Sequence, residues 1–460
     1  MKNKSLAIIS LTFVFVQNMY AQDKKLLTLG DLWPKVEAHY PGLLAKQTAI
    51  EEARLKEKAV KSTAIPQLKA QAQNTYGTVE SVSGAFFPQS GLFNVNGVKQ
   101  INDESNTTFN GFASAVAEWD IYQFGKQKNA NRAASLFTEK TSNEKDNYVL
   151  HLKKELSERY INLLYSDSKF IWSQKNGQRL NDIQKITAGL AKSGVKPAAD
   201  SLLSHSSFIQ ALANADLWKG NRNAALIKLT ELTDVPNINY ELSVKRFIQK
   251  VPVPEKAIHS KDLKSHPFLK SLDNQRLYIE SISKAEKGEA LPTLKVLGGY
   301  AFRSSGINNN GHISSSWRNG FNNQSNNYLF GLGLTWNISN LYSKSFSAAS
   351  LAKKAQQTEQ LHQQYEVAMQ SDIASLKAKI NEQYQQLQKN NMAVKQSQQA
   401  YNMYLARYKS GLIALTELLQ IQSLLEQAEL NHIDASNQFW KQLAAEAELT
   451  VDFDFLFNNL

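Results

Sequence analysis

The chain has 460 residues, a formal net charge of +11 and no cysteine. Without cysteine, disulfide staples, thiolate zinc sites, iron–sulfur clusters and a lipid-modified N-terminal Cys are excluded together. The basic residues form no Lys/Arg cluster, so the charge reads as a diffuse surface near an anionic envelope and no nucleic-acid partner is expected.

Lys2 and Lys4 precede a mostly apolar run from Leu6 to Val16, followed by Met19-Tyr20-Ala21-Gln22-Asp23. This is the pattern of a secretory signal peptide over residues 1–21, cleaved near Ala21. The run is shorter than the roughly 20 apolar residues a spanning helix needs, and no later stretch reaches that length.

From Leu29 to Ala64 the sequence reads as helix with a break at Pro41. A strand follows in which Leu68, Ala70, Ala72 and Tyr76 alternate with Lys69, Gln71, Gln73 and Thr75. A polar loop from Thr78 to Asn106 leads to a second strand, Thr107 to Trp119, whose faces are mixed and rich in Ala. Between Lys126 and Lys192 there is no proline and only Gly177 and Gly189, so about 65 residues at ~1.5 Å each predict a rod of about 100 Å. The rod ends at Lys192-Ser193-Gly194, where glycine suits the left-handed backbone of a helix C-cap, and a second helix returns.

The same series then recurs. Pro66-Gln67-Leu68-Lys69 is answered by Pro292-Thr293-Leu294-Lys295, and Tyr40-Pro41 by His266-Pro267, both 226 residues on. Trp119-Asp120-Ile121 is answered by Trp336-Asn337-Ile338, Lys192-Ser193-Gly194 by Lys409-Ser410-Gly411, and Glu231-Leu232-Thr233 by Glu448-Leu449-Thr450, all at 217. The shift changes once, across the polar loops, where length differences belong. The expected organisation is therefore two structural repeats, 22–240 and 241–460, meeting near Val235 to Ser265 and intertwined in one unit.

In the second copy Leu294, Val296, Tyr300 and Phe302 form one face against Thr293, Lys295, Gly299 and Arg303. From Tyr328 to Ile338 the alternation is period two, with Tyr328, Phe330, Leu332, Leu334, Trp336 and Ile338 on one side. Roughly 9–11 residues cross a bilayer as a tilted strand, and aromatic girdles mark both interfaces. Tyr300, Phe302, Tyr328, Phe330 and Trp336 are the candidate membrane-facing belt. Four strands cannot close a barrel alone, and open edges in lipid leave backbone groups unpaired at several kcal/mol each, so oligomerisation is required if these strands span; three copies would give twelve strands and no edge. The second rod, Lys344 to Lys409, lacks both Pro and Gly and spaces its apolar residues in threes and fours, as coiled-coil packing requires.

Six residues beyond each turn glycine stands an acid, Asp200 and Glu417. An acid in a first helical turn complements the helix dipole; the residues alone leave open whether it also lines an opening. None of the eight histidines has a second His at a metal-ligand spacing, and Gly331-Leu332-Gly333 lacks the third glycine and following helix of a dinucleotide loop. No catalytic residue, cofactor or metal is expected. The alternative reading is a periplasmic coiled-coil adaptor or structural rod without membrane strands.

On this duplicated plan, and on the stretches "HYPGLLAKQTAI…AIPQLKAQAQNTYG", "SHPFLKSLD…ALPTLKVLGGYAF", "YLFGLGLTWNI" and "ARYKSGLIALTELLQIQSLLEQAEL", the chain resembles the TolC-like outer-membrane efflux family over nearly all its length after the signal segment. The resemblance implies an α+β membrane protein: a trimeric channel with one 12-stranded outer-membrane barrel and long periplasmic helical hairpins forming an α-barrel. It implies a passive exit duct for small molecules or polypeptides, in outer-membrane lipid, in a tripartite efflux or type I secretion system with a periplasmic adaptor (membrane fusion protein) and an inner-membrane pump. Carried over residue by residue, Gly194-Val195 and Gly411-Leu412 match the tip turns where the adaptor docks. Asp200 and Glu417 match acids near the periplasmic aperture, and Tyr408 an aromatic that helps hold it shut. The sequence departs from the pattern at Gln420, acidic in some relatives; at Ile413, where some carry a latching Arg; and at Ser339 to Tyr342, which lacks a glycine found after the membrane strand in many members.

Overall fold

The computed structural model describes residues 28–78, 107–235, 241–249, 251–253 and 263–460. The expected signal segment and nearly all of the first polar loop lie outside the described residues. Helices α1 (Leu29–His39) and α2 (Pro41–Ser62) are followed by β1 (Gln67–Thr78), β2 (Thr107–Tyr122), α3 (Lys126–Lys192), α4 (Ala198–Thr233) and α5 (Glu241–Gln249). Then come α6 (Pro267–Glu289), β3 (Thr293–Ser305), β4 (Asn323–Thr335), α7 (Asn340–Lys409), α8 (Leu415–Thr450) and α9 (Asp454–Asn459). The break at Pro41 falls at Tyr40, whose φ of −69° and ψ of 119° are extended, because proline disfavours helical backbone in the residue before it.

The order α2-β1-β2-α3-α4 is matched by α6-β3-β4-α7-α8, with Pro41 and Pro267 opening α2 and α6, and Thr233 and Thr450 closing α4 and α8. The described chain divides into two compact units, and each draws on both halves of the sequence. One takes its described residues from within 41–150 and 260–372; the other takes its described residues from within 28–40, 151–253 and 373–460.

The first unit holds a four-stranded antiparallel sheet in the order β1-β2-β3-β4. Directly paired residues share a face, so the register sorts the side chains. Tyr76 pairs with Phe109, Ala72 with Ala113, Ala113 with Phe302, Tyr300 with Tyr328 and Val296 with Leu332. These lie on one face, and it is apolar. Ala113, Ala115 and Ala117 belong to it, which is why β2 looked mixed: small residues carry the alternation weakly. The opposite face carries Lys69, Gln71, Gln73 and Thr75 of β1, with Lys295 of β3 lying 3.5 Å from Asp120 and 3.9 Å from Glu118 of β2.

β4 differs from the expected Tyr328–Ile338 strand at both ends. It begins at Asn323, because the polar run Asn323–Asn327 pairs with Ser305–Ala301. It stops at Thr335, the partner of Thr293, where Pro292 ends the β3 ladder. The loop between β3 and β4 is correspondingly shorter, and it folds over the start of β2: Thr108 Oγ1 donates to Ser314 O at 3.0 Å and Gly306 N to Phe109 O at 2.9 Å.

The repeat extends to individual contacts. Trp119 Nε1 donates to Ala64 O at 3.0 Å and Trp336 Nε1 to Ala290 O at 3.1 Å, so each indole ties the end of a strand to the chain just before Pro66 or Pro292. Thr63 bonds Gln127 at 3.1 Å; at the corresponding positions Glu289 accepts from Lys344 at 3.0 Å.

In the second unit α1 packs on α4 and α9 with Leu29, Leu32 and Val36 fully buried. α5, which the proline-marked join did not suggest, docks on α8 through fully buried Phe247. Its backbone is held by Trp440 Nε1, which donates to Phe247 O at 3.1 Å, and Tyr160 Oη donates to Ser243 Oγ at 2.8 Å.

Where α6 meets the start of α3, a Cβ on Gly288 would lie 2.9 Å from Lys126 N and 3.0 Å from its Cα. Ala is the better helix former by about 1 kcal/mol, but overpacking against backbone costs about 1–3 kcal/mol. Gly288→Ala is therefore expected to lower the thermal unfolding midpoint of the purified protein. A raised midpoint would mean the two helices have slack at this contact.

Candidate functional site

The turns joining α3 to α4 and α7 to α8 have the same backbone. Gly194 and Gly411 have φ of +74° and +75°, and Val195 N and Leu412 N each reach back to a carbonyl five residues earlier, Leu190 O and Arg407 O, at 3.0 Å. A left-handed residue closing two helix-terminal carbonyls in this way is why glycine stands at both places. The residues just beyond are bare: Val195 is 59% and Leu412 70% exposed. The two turns are linked directly, because Lys196 Nζ donates to Ile413 O at 3.1 Å and lies 5.8 Å from the Tyr408 ring centroid.

Tyr408 is fully buried in an apolar cluster with Leu180, Ile183, Ile413, Leu415 and Leu418, contributed by both hairpins. Burial holds its hydroxyl above the usual phenol range, with Thr187 opposing and the Asp200 charge adding to the shift. Asp200 stands in the first turn of α4. Glu417 is exposed at the start of α8, where its Oε1 accepts from Ala414 N at 3.2 Å. The helix-start role expected of an acid in a first turn is present at Glu417.

Between the turns and the far ends of the helices a polar seam joins the hairpins. Arg179 clamps Glu429 through two nitrogens at 3.1 and 2.5 Å. Lys169 lies 2.7 Å from Asp434, which also accepts from Tyr165 Oη at 2.9 Å. Burial and Asp434 together push the Tyr165 hydroxyl well up. Gln422 Nε2 donates to Asn176 Oδ1 within the buried interior. None of these was found from sequence. The partners lie 246 to 269 residues apart, and the residue types are those of an ordinary solvated helix face.

Glu446, 3% exposed near the end of α8, was also missed. Burial raises its pKa to about 7, Lys377 opposing and Asp452 adding. On the sheet, the candidate belt residues Tyr328, Phe330 and Trp336 are 89, 82 and 46% exposed, and Tyr300 is 51% exposed. Phe302 shares their face but is half-buried. Trp336 lies just past β4 with its indole N–H already bonded. Among the described residues no helix is long and apolar enough to cross a membrane.

The fold is that of a TolC-like outer-membrane channel. VceC of Vibrio cholerae superposes with a TM-score of 0.71 at 13% identity, covering 93% of this chain and 97% of that one. CmeC of Campylobacter jejuni gives 0.71 at 13% identity, covering 98% and 94%. MtrE of Neisseria gonorrhoeae, in an open state, gives 0.68 at 15% identity, covering 92% and 89%. Residues 280–450 match the outer membrane efflux protein family. No curated protein sequence matches the chain significantly. The fold is thus shared with these outer-membrane channels along nearly the whole chain, and residues 280–450 also carry the pattern of the efflux family.

Glu446 gives this unit a signature in pH. Its folded pKa of about 7 exceeds the ordinary 4.5, so the folded state holds the proton longer. The carboxyl costs nothing below the unfolded value, and stability is lost as pH rises from about 4.5 to about 7. At 1.36 kcal/mol per unit, a rise of about 2.5 units makes the whole loss roughly 3 kcal/mol. Urea unfolding at pH 5 and pH 8 should show this loss in the wild type and not in Glu446→Gln. Equal pH dependence in both proteins would mean that Glu446 ionises freely.

Proposed function

We propose that the chain is one subunit of a homotrimeric passive exit duct, whose three sheets close a single barrel in the outer membrane and whose helical hairpins extend into the periplasm. The observation that carries this is the sheet itself. One face is apolar, aromatic and uncovered, the other is mostly polar, and both edges lack a partner among the described residues. In lipid the bare face is favourable and the open edges are not, each unpaired backbone group costing several kcal/mol. The match of residues 280–450 to the efflux family supports the same reading.

The turns at Gly194-Val195 and Gly411-Leu412 are the docking points for a periplasmic adaptor, through which an inner-membrane pump delivers small molecules or polypeptides. Their exposed Val195 and Leu412 offer an apolar contact. Asp200 and Glu417 form the aperture. Three copies bring six carboxylates near one axis, and the resulting field favours cations. Tyr408 and its apolar cluster hold the hairpins together there, and opening requires the cluster to part under adaptor contact. Tyr300, Phe302, Tyr328, Phe330 and Trp336 form the membrane-facing belt.

Electron microscopy of detergent-extracted protein should show threefold particles with a short stub and a tube of about 100 Å, as the helix lengths require; compact monomers would end the duct reading. In planar bilayers, Asp200→Asn with Glu417→Gln should abolish cation preference while conductance persists. Unchanged selectivity would remove these two acids from the aperture.

A further inference from the structure

The edges of the sheet are β1 and β4, strands of 12 and 13 residues, each paired on one side only among the described residues. They are repeat counterparts of the two strands in the middle. β1 corresponds to β3, 226 residues before it, and β4 to β2, 217 residues after it. Because β2 and β3 pair with each other, the sheet already contains a copy of the junction that its own edges lack.

Carrying the β2–β3 ladder across by these two shifts fixes a register. The pair Ala117↔Gly298 becomes Leu334 opposite Ala72, and Ala113↔Phe302 becomes Phe330 opposite Tyr76. The pair Asp120↔Lys295 becomes Asn337 opposite Lys69. Leu334 and Phe330 lie on the apolar face, as do Ala72 and Tyr76, so the transfer keeps inside and outside where the existing ladders put them. A slip of one residue would reverse that.

Two further observations agree. β4 stops at Thr335, while its counterpart β2 runs on to Tyr122, the equivalent of Ser339; the absent partner strand is what residues 336–339 would pair with. On the helices, Ser281 of α6 is 4% exposed, whereas its counterpart Leu55 of α2 is 65% exposed, a leucine left bare at a position that is covered in the other repeat.

We propose that β4 of one copy pairs antiparallel with β1 of the next in this register, with Leu334 opposite Ala72 and Asn337 opposite Lys69. The inference rests on the trimeric-duct reading and specifies its subunit junction. It also has an electrostatic consequence. Lys295 has Asp120 and Glu118 beside it within the chain, but the equivalents of those acids facing Lys69 are Asn337 and Thr335. Each subunit junction therefore carries a lysine with no acid opposite, on the polar face.

The absence of native cysteine gives a clean background for the test. In the full chain, Ala72→Cys with Leu334→Cys is oxidised in membranes and run without reductant. Directly opposed Cβ atoms are about 4.5–5.5 Å apart and diagonal ones farther, so this pair should give a covalent trimer that reductant reverses. The slipped pair Ala72→Cys with Leu332→Cys should not. Linking by the slipped pair alone, or by neither pair in particles that are still threefold, overturns the register and leaves the duct standing. Monomers by size overturn both. Asn337→Asp in the cysteine-free chain gives a second readout. It should raise the temperature at which the trimer dissociates in detergent, more strongly at low salt, and an unchanged temperature counts against Lys69 lying opposite.

Discussion

A strand in hydrocarbon has no water to complete its backbone hydrogen bonds, and this constraint organises the molecule. Helices close their own bonds, so α3 and α7 can run for 67 and 70 residues without help from neighbours. The four strands cannot. Their ladders satisfy three junctions inside the chain and, among the described residues, leave the outer sides of β1 and β4 open. The apolar face poses the same question for side chains: Tyr328 and Phe330 are almost fully exposed in the isolated chain, a state that lipid favours and water does not.

The duplicated plan answers the constraint economically. Each copy supplies a strand pair, and the same devices bind each pair to the helices. The indoles of Trp119 and Trp336 sit where a strand ends and a helix is about to begin, bonded to the carbonyls of Ala64 and Ala290. The copies have diverged in chemistry at fixed positions. A neutral contact between Thr63 and Gln127 is an ion pair between Glu289 and Lys344 in the second copy. Position is kept because backbone geometry fixes it, and side-chain identity drifts because exposed pairs contribute under about 1 kcal/mol either way.

The helical hairpins are held by a different balance. Near the turns the contact is apolar, with Tyr408 and Ile413 buried together, and further along it is ionic, with Arg179 on Glu429 and Lys169 on Asp434. Apolar contacts part gradually and lose stability in proportion to area. A partly buried ion pair resists separation because an unpaired charge left behind is costly. The turn end of the hairpins is thus closed by apolar packing, and the region further along is closed by ion pairs.

Much of the fold was legible in the sequence because its signals are local and periodic. Proline and glycine placed the limits of α2, α3, α4 and α6, the period of two marked the faces of β1, β3 and β4, and the two constant shifts gave the repeated order. The candidate turns were equally legible, since a left-handed C-cap calls for glycine at Gly194 and Gly411 whatever surrounds it. The tertiary structure decided what depends on distant partners. It showed β2 to have a clean apolar face built from alanines and moved the ends of β4. It buried Tyr408 and Glu446, and paired Arg179 with Glu429 and Tyr165 with Asp434. No local pattern announces such pairs, because a charged residue on a long helix reads the same whether it faces water or a carboxylate 250 residues away in the chain.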